Sequence, residues 1–149
     1  MRSRTAIFFE AKVRLEKTME DGMVKKVYET YAVDAMSFAE AEERAKKEAG
    51  AYTSGELDVV GLKIAPYTEV FFSEDGSDDA WFRVKLAFIT IDERTQKERK
   101  SKVNYLVNAN SIEKATENVK KIMSGTMIDY EIVSINDTPI IDVFEYDKS

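Results

Sequence analysis

Two stretches of this 149-residue chain carry charge densely enough to do chemistry. Arg94, Lys97, Arg99, Lys100 and Lys102 place five cations within nine positions, a density suited to phosphate oxygens. Glu74, Asp75, Asp78 and Asp79 concentrate four carboxylates around Gly76 and Ser77, the hard-oxygen donors that calcium and magnesium take. The acidic run lacks the alternating Asp spacing and closing Glu of an EF-hand loop, so it reads first as a solvated linker. Asp58, Glu69, Asp129, Glu131 and Asp142 fall in or beside expected strands, where a carboxylate pair would serve glycoside or metal-assisted hydrolysis. Strand alternation explains them equally well as outward-facing polar positions.

Residue types that are missing narrow the choice further. Without His or Cys the chain has no imidazole base, no thiolate nucleophile, no zinc site of nitrogen or sulfur ligands and no disulfide. Its six Gly, at 22, 50, 55, 61, 76 and 125, never approach the spacing of a phosphate-cradling loop. No catalytic residue, no cofactor-binding residue and no metal ligand is expected, and the chain reads as a non-enzyme. The net charge of −6 speaks against a dedicated duplex-DNA binder. The apolar run 6–9 is too short for a signal-peptide core and 86–91 too short to cross a bilayer, so cytoplasmic residence with no membrane partner is expected.

The elements that must position these residues are written twice. Tyr31, Val33, Ala35, Ser37 and Ala41 recur as Tyr105, Val107, Ala109, Ser111 and Ala115, at an offset of 74, and Asp34 faces Asn108. Upstream, Phe9 and Lys12 match Phe82 and Lys85; downstream, Pro66, Val70 and Phe71 match Pro139, Val143 and Phe144, at an offset of 73. In the first copy, residues 9–15 alternate apolar with charged at period two, Asp21-Gly22 marks a turn, and a second strand runs over 24–35. Ser37 and Glu40 form a capping box ahead of a helix over 38–49, whose apolar stripe is Phe38, Ala41 and Ala45 and whose stop is Gly50. A loop over 51–56 leads to strands over 57–64 and 67–72, with Pro66 at the turn between them. The second copy predicts strands over 81–91, 101–109, 129–135 and 140–146 and a helix over 112–123. The expected fold is α+β: duplicated β-β-α-β-β units, eight strands and two helices, packed as one body with antiparallel sheets and helices on one face. Repeat one covers about 7–72, the acidic linker 73–79 and repeat two about 80–146, within a single duplicated domain over 1–149.

Three aromatic pairs, Phe8-Phe9, Phe71-Phe72 and Trp81-Phe82, should each send one ring into the core and one outward. With the basic hairpin, an outward Trp81 would grip single-stranded nucleic acid, phosphates on Arg94, Lys97, Arg99, Lys100 and Lys102 and bases on the ring. The tail over 142–147 is acidic and aromatic and resembles partner-docking tails in character; its recurrence at 69–71 reads as an edge strand.

The segments 12–22, 31–42, Trp81-Phe82-Arg83-Val84-Lys85 and 130–135 resemble the family catalogued as domain of unknown function 4494, over about residues 8–144. That resemblance implies an origin among Bacteroides-type gut bacteria and their viruses and carries no activity, substrate or site residue with it. The chain is therefore expected to be a non-enzymatic binding or adaptor protein using its duplicated sheet as an interaction surface, with a protein partner or homodimer and no small-molecule cofactor. The alternative is a single-stranded nucleic-acid-binding protein.

Overall fold

The computed structural model describes residues 1–51, 53 and 55–146; Tyr52 and Ser54 of the expected loop and Asp147 of the expected tail lie outside them. The order of elements is β1 (Arg2–Thr5), β2 (Phe8–Thr18), β3 (Val24–Asp34), α1 (Phe38–Gly50), β4 (Leu57–Ile64), β5 (Glu69–Phe72), β6 (Ala80–Ile91), β7 (Glu98–Ala109), α2 (Ile112–Ser124), β8 (Asp129–Asp137) and β9 (Ile140–Phe144). The fold class is α+β, as the sequence implies. The described residues form nine strands where eight were expected, because the polar segment Arg2–Thr5 pairs antiparallel with β5.

Local chemistry accounts for most element boundaries. Along β2 the apolar positions Phe9, Ala11, Val13 and Leu15 are buried while the intervening charges reach solvent. The hairpin to β3 closes on Gly22, whose φ of +83° suits glycine, and Met23 donates its amide to Asp21 Oδ1 at 3.0 Å. Ser37 and Ser111 cap the helices by accepting from the amides of Glu40 (3.2 Å) and Lys114 (3.1 Å). The return bond of a capping box is not made: the Glu40 carboxylate instead pairs with Arg44 at 3.0 Å, one turn along. On α1 the buried stripe is Ala41, Ala45 and Ala49, and Phe38 is half exposed rather than part of it.

The chain divides into two compact units that do not follow the expected repeat boundaries. One joins Met1–Thr5 to Tyr67–Thr138 and holds a five-stranded sheet of order β1-β5-β7-β6-β8; the other joins Ala6–Pro66 to the segment from Pro139 and holds a four-stranded sheet of order β4-β2-β3-β9. Both sheets are mixed, which corrects the expectation of antiparallel sheets. β5 does not turn back on β4; it runs parallel to β7, with Val70 opposite Leu106, and β9 runs parallel to β3, with Val143 opposite Ala32. The chain passes between units at Pro66 and again at Pro139. Proline holds the residue before it extended and offers no amide, so each strand is carried onward instead of folding into a hairpin.

Within each unit a helix packs on the sheet. Ala45 and Ala49 meet Ala11, Val13, Leu15, Tyr31, Val33 and Phe144; Val119 and Met123 meet Val84, Leu86, Val107 and Phe71. The incoming strands supply aromatic contacts to these cores: Phe144 stacks on Tyr31 with centroids 4.6 Å apart, and Phe71 tilts against Tyr105 at 4.9 Å. Even the irregularities match. The pairing of β2 with β4 slips between Lys12 and Val13, and that of β6 with β8 between Lys85 and Leu86, leaving Val60 and Val133 as the extra residues.

Because Phe144 completes a core otherwise built from residues before Pro66, Phe144→Ala should cost about 3–5 kcal/mol in urea unfolding. A loss below about 1 kcal/mol, the scale of removing the Ser111 cap by Ser111→Ala, would mean that β9 is not part of that core.

Candidate functional site

The expected basic patch is divided by the register of β6 and β7. Lys100 and Lys102 stand opposite Ile89 and Ala87, whereas Arg99 stands opposite Thr90 on the other face, and Arg94 and Lys97 lie at the exposed turn. Lys100 reaches past the small Ala87 to Glu131 on β8 (2.8 Å), which raises its pKa. Trp81 is not an outward ring. It is 5% exposed, its neighbour Phe72 meets it edge-on at 5.4 Å, and its carbonyl accepts from the Thr138 hydroxyl at 2.7 Å. No base can stack there.

Two cations that the sequence reading passed over share the face of Lys100 and Lys102. Arg83 stands opposite Leu106 and Asn136, and Lys85 opposite Asn104 and Ser134. Among the described residues Arg83, Lys85 and Lys102 have no ion-pair partner. Period-two alternation along β6 would have flagged them once the pairing with β7 was known.

The acidic loop is not a loose linker but is tied down by hydrogen bonds. Asp75 Oδ1 accepts from the Ser77 amide (2.9 Å) and hydroxyl (2.7 Å), and its Oδ2 from Lys114 (3.1 Å). Those bonds, led by the Ser77 amide, hold the Asp75 carboxyl well below the usual carboxylate range, and Asp75 in turn raises Lys114. Asp78 is buried: its Oδ2 accepts from the Ser73 hydroxyl and from Asn118 (3.3 Å), while its Oδ1 has no protein donor. Asn108 donates to the carbonyls of Asp78 (3.0 Å) and Ala80 (2.9 Å), and Asn118 donates to the Asn108 carbonyl (2.9 Å). The Lys114 ammonium, 4.0 Å from Asp78 Oδ2, thus supplies the positive charge a cation would bring. Among the described residues no three His, Cys, Asp or Glu side chains gather as a metal site.

Other carboxylates are similarly engaged. Asp58 binds Arg14 at 2.6 Å, Glu131 binds Lys100, and Asp142 accepts from the Val143 amide at 2.8 Å. Glu29, unmarked by any motif, is buried opposite Val13 on the face that meets α1. Burial works to raise its pKa, but Lys17 and the Tyr31 hydroxyl together hold it below the ordinary value.

A group of exposed apolar side chains surrounds Phe9 in the four-stranded unit. Phe38 meets the Phe9 ring edge-on at 5.0 Å, Ile64 stands opposite Phe9 on β4, the Ile7 carbonyl accepts from the Ala35 amide at 3.2 Å, and Met36 follows directly. Phe9 and Ala35 are buried, yet Ile7, Met36, Phe38 and Ile64 are 45%, 77%, 50% and 58% exposed.

A family model, a domain of unknown function (DUF4494), matches residues 7–146. The chain belongs to that family. No curated protein and no solved structure matches it. The matched residues take in both units but begin after β1, so the strand that widens one sheet to five lies outside the family model. Among the described residues, no helix is long and apolar enough to cross a membrane.

The acidic loop yields a pH test. A carboxyl whose pKa is lowered by folding contributes stability above its ordinary value of 3.8 and loses it as the pH falls from there. Asp75→Asn should therefore narrow the gap between urea midpoints at neutral pH and at acid pH below that value, modestly because the group is exposed. An unchanged gap would remove the Asp75–Lys114 pair from the acid response.

Proposed function

We propose that this protein is a non-enzymatic binding module of internally duplicated origin, and that it self-associates as a homodimer through the apolar surface around Phe9. The duplication is supported by matched detail. Both sheets have the same order, β4-β2-β3-β9 beside β8-β6-β7-β5, both edge strands carry their bulge at matched residues, and both helices carry a Ser cap. Binding rather than catalysis is supported by the absence of His and Cys and by the engagement of three of the five candidate strand carboxylates, Asp58, Glu131 and Asp142, with cations or an amide.

The observation that carries the reading is an internal comparison. The cluster Phe9, Ala35, Ala41 has its match in Phe82, Ala109, Ala115, so both units build the same substructure. Around the second cluster, the positions of Ile7, Met36, Phe38 and Ile64 are held by Ala80, Asn110, Ile112 and Asp137. Asn110 and Asp137 show that the fold does not require Met36 and Ile64 to be apolar, and exposing them beside Ile7 and Phe38 costs solubility unless something covers them.

A second copy is the occupant the charges favour. The neighbouring Glu40 is internally neutralised by Arg44, so a two-fold contact brings these residues together without like-charge repulsion despite the net charge of −6. The edges favour it as well: the bulges at Val60 and Val133 distort β4 and β8, which discourages association by strand addition.

Light scattering coupled to gel filtration should give the dimer mass for the native chain. Met36→Asp combined with Ile64→Asp should give the monomer with unchanged circular dichroism, and Ile91→Asp, at the distal end of β6, should stay dimeric. A native chain that remains monomeric at its highest soluble concentration overturns the proposal.

A further inference from the structure

We infer that the face of β6, β7 and β8 that carries Arg83, Lys85 and Lys102 binds the sugar-phosphate backbone of single-stranded nucleic acid. On that face Arg83 and Lys85 are two residues apart on β6, about 6.6 Å along the strand, and Lys102 projects beside them from β7. None of the three has an anionic partner among the described residues, in a chain that carries 28 acidic side chains. Asn104, Ser134 and Asn136, the residues opposite Lys85 and Arg83, add neutral hydrogen-bonding groups between the charges.

The other sheet again serves as the comparison. Its face carries Glu10, Lys12, Arg14 and Lys63, and there the charges are satisfied in place: Glu10 with Lys63, Arg14 with Asp58, and Lys12 over the Tyr28 ring at 5.2 Å. The position of Arg83 corresponds to Glu10 and that of Asn136 to Lys63, so an internal ion pair in one sheet is an unpaired arginine beside an amide in the other. Arg83 stands without an ion pair where its counterpart in the other sheet is an ion-paired glutamate, and an anionic ligand is the simplest reason for that difference.

Shape selects a single strand. A major groove admits a two-stranded ribbon, and a third strand with its side chains makes this face broader than that. With bases unpaired, Asn104, Ser134 and Asn136 can reach their edges. No exposed ring lies among these residues, so phosphate contacts dominate and binding is indifferent to sequence and sensitive to salt.

Fluorescence anisotropy with a labelled oligothymidine tests this on the full chain. Three phosphate contacts predict a log–log salt slope of about −2, a loss of roughly 20-fold between 50 and 200 mM salt. Arg83→Glu and Lys85→Glu should each weaken binding several-fold more than Lys120→Glu, which makes the same charge change on α2. Glu131→Gln frees Lys100 and should tighten binding and steepen the slope by about 0.7, a gain that loss of structure would not produce. Absence of binding at low salt overturns the inference, as does equal weakening by Lys120→Glu. Equal affinity for a duplex of the same length overturns the assignment to a single strand.

Discussion

Each sheet in this protein is finished by a strand that the chain delivers from far along the sequence. β9 lies parallel on β3 and β5 lies parallel on β7, and a parallel neighbour cannot be reached through a tight turn. The backbone makes this unavoidable at two places. Ala65 donates its amide to the Phe8 carbonyl at 2.8 Å, and the next residue, Pro66, has no amide to continue the ladder. Pro139 stands at the matching point after β8. Behind these prolines the rings enter the cores, Phe144 against Tyr31 in a core that residues 6–66 leave open, and Phe71 against Tyr105 in the core of its own segment. The four-stranded unit has no complete core without its second segment of chain.

That constraint explains which features could be read from the sequence. The eight expected strands, the turn at Gly22 and the Ser37 and Ser111 caps all depend on neighbours within a few residues, and all are present. The partners of Glu69–Phe72 and Ile140–Phe144 depend on residues far away. Alternation and β-propensity say that such segments are strands and are silent on which edge they join. Arg2–Thr5 has no apolar alternation at all, and it is a strand only because β5 offers it an edge.

The same limit accounts for Trp81 and Asp78. Adjacent residues in a strand point to opposite faces, but alternation does not make one face wet. Here Phe8 and Phe9 are both buried, as are Trp81 and Phe82, because each sheet is covered on both faces near these residues. Asp78 looked like one more charge in a solvated run. Its burial follows from Asn108 and Asn118, two amides on β7 and α2 whose relation to the loop no local pattern reveals.

The two cores also show how far matched elements can drift without losing register. Ala11, Val13, Leu15, Ala45 and Ala49 in one unit correspond to Val84, Leu86, Phe88, Val119 and Met123 in the other, larger at every position. At constant packing density, small side chains on both helix and sheet demand a closer approach. α1 accordingly touches β2, β3, β4 and β9, while α2 packs chiefly on β7 and β8. Strand order and bulges survive this change, so the scaffold tolerates substantial variation in its own interior. Surface positions are held still less tightly by folding. Met36 and Ile64 where the other unit has Asn110 and Asp137, and Arg83 where the other has the ion-paired Glu10, are therefore differences that the fold does not impose, and the proposed binding surfaces would account for both.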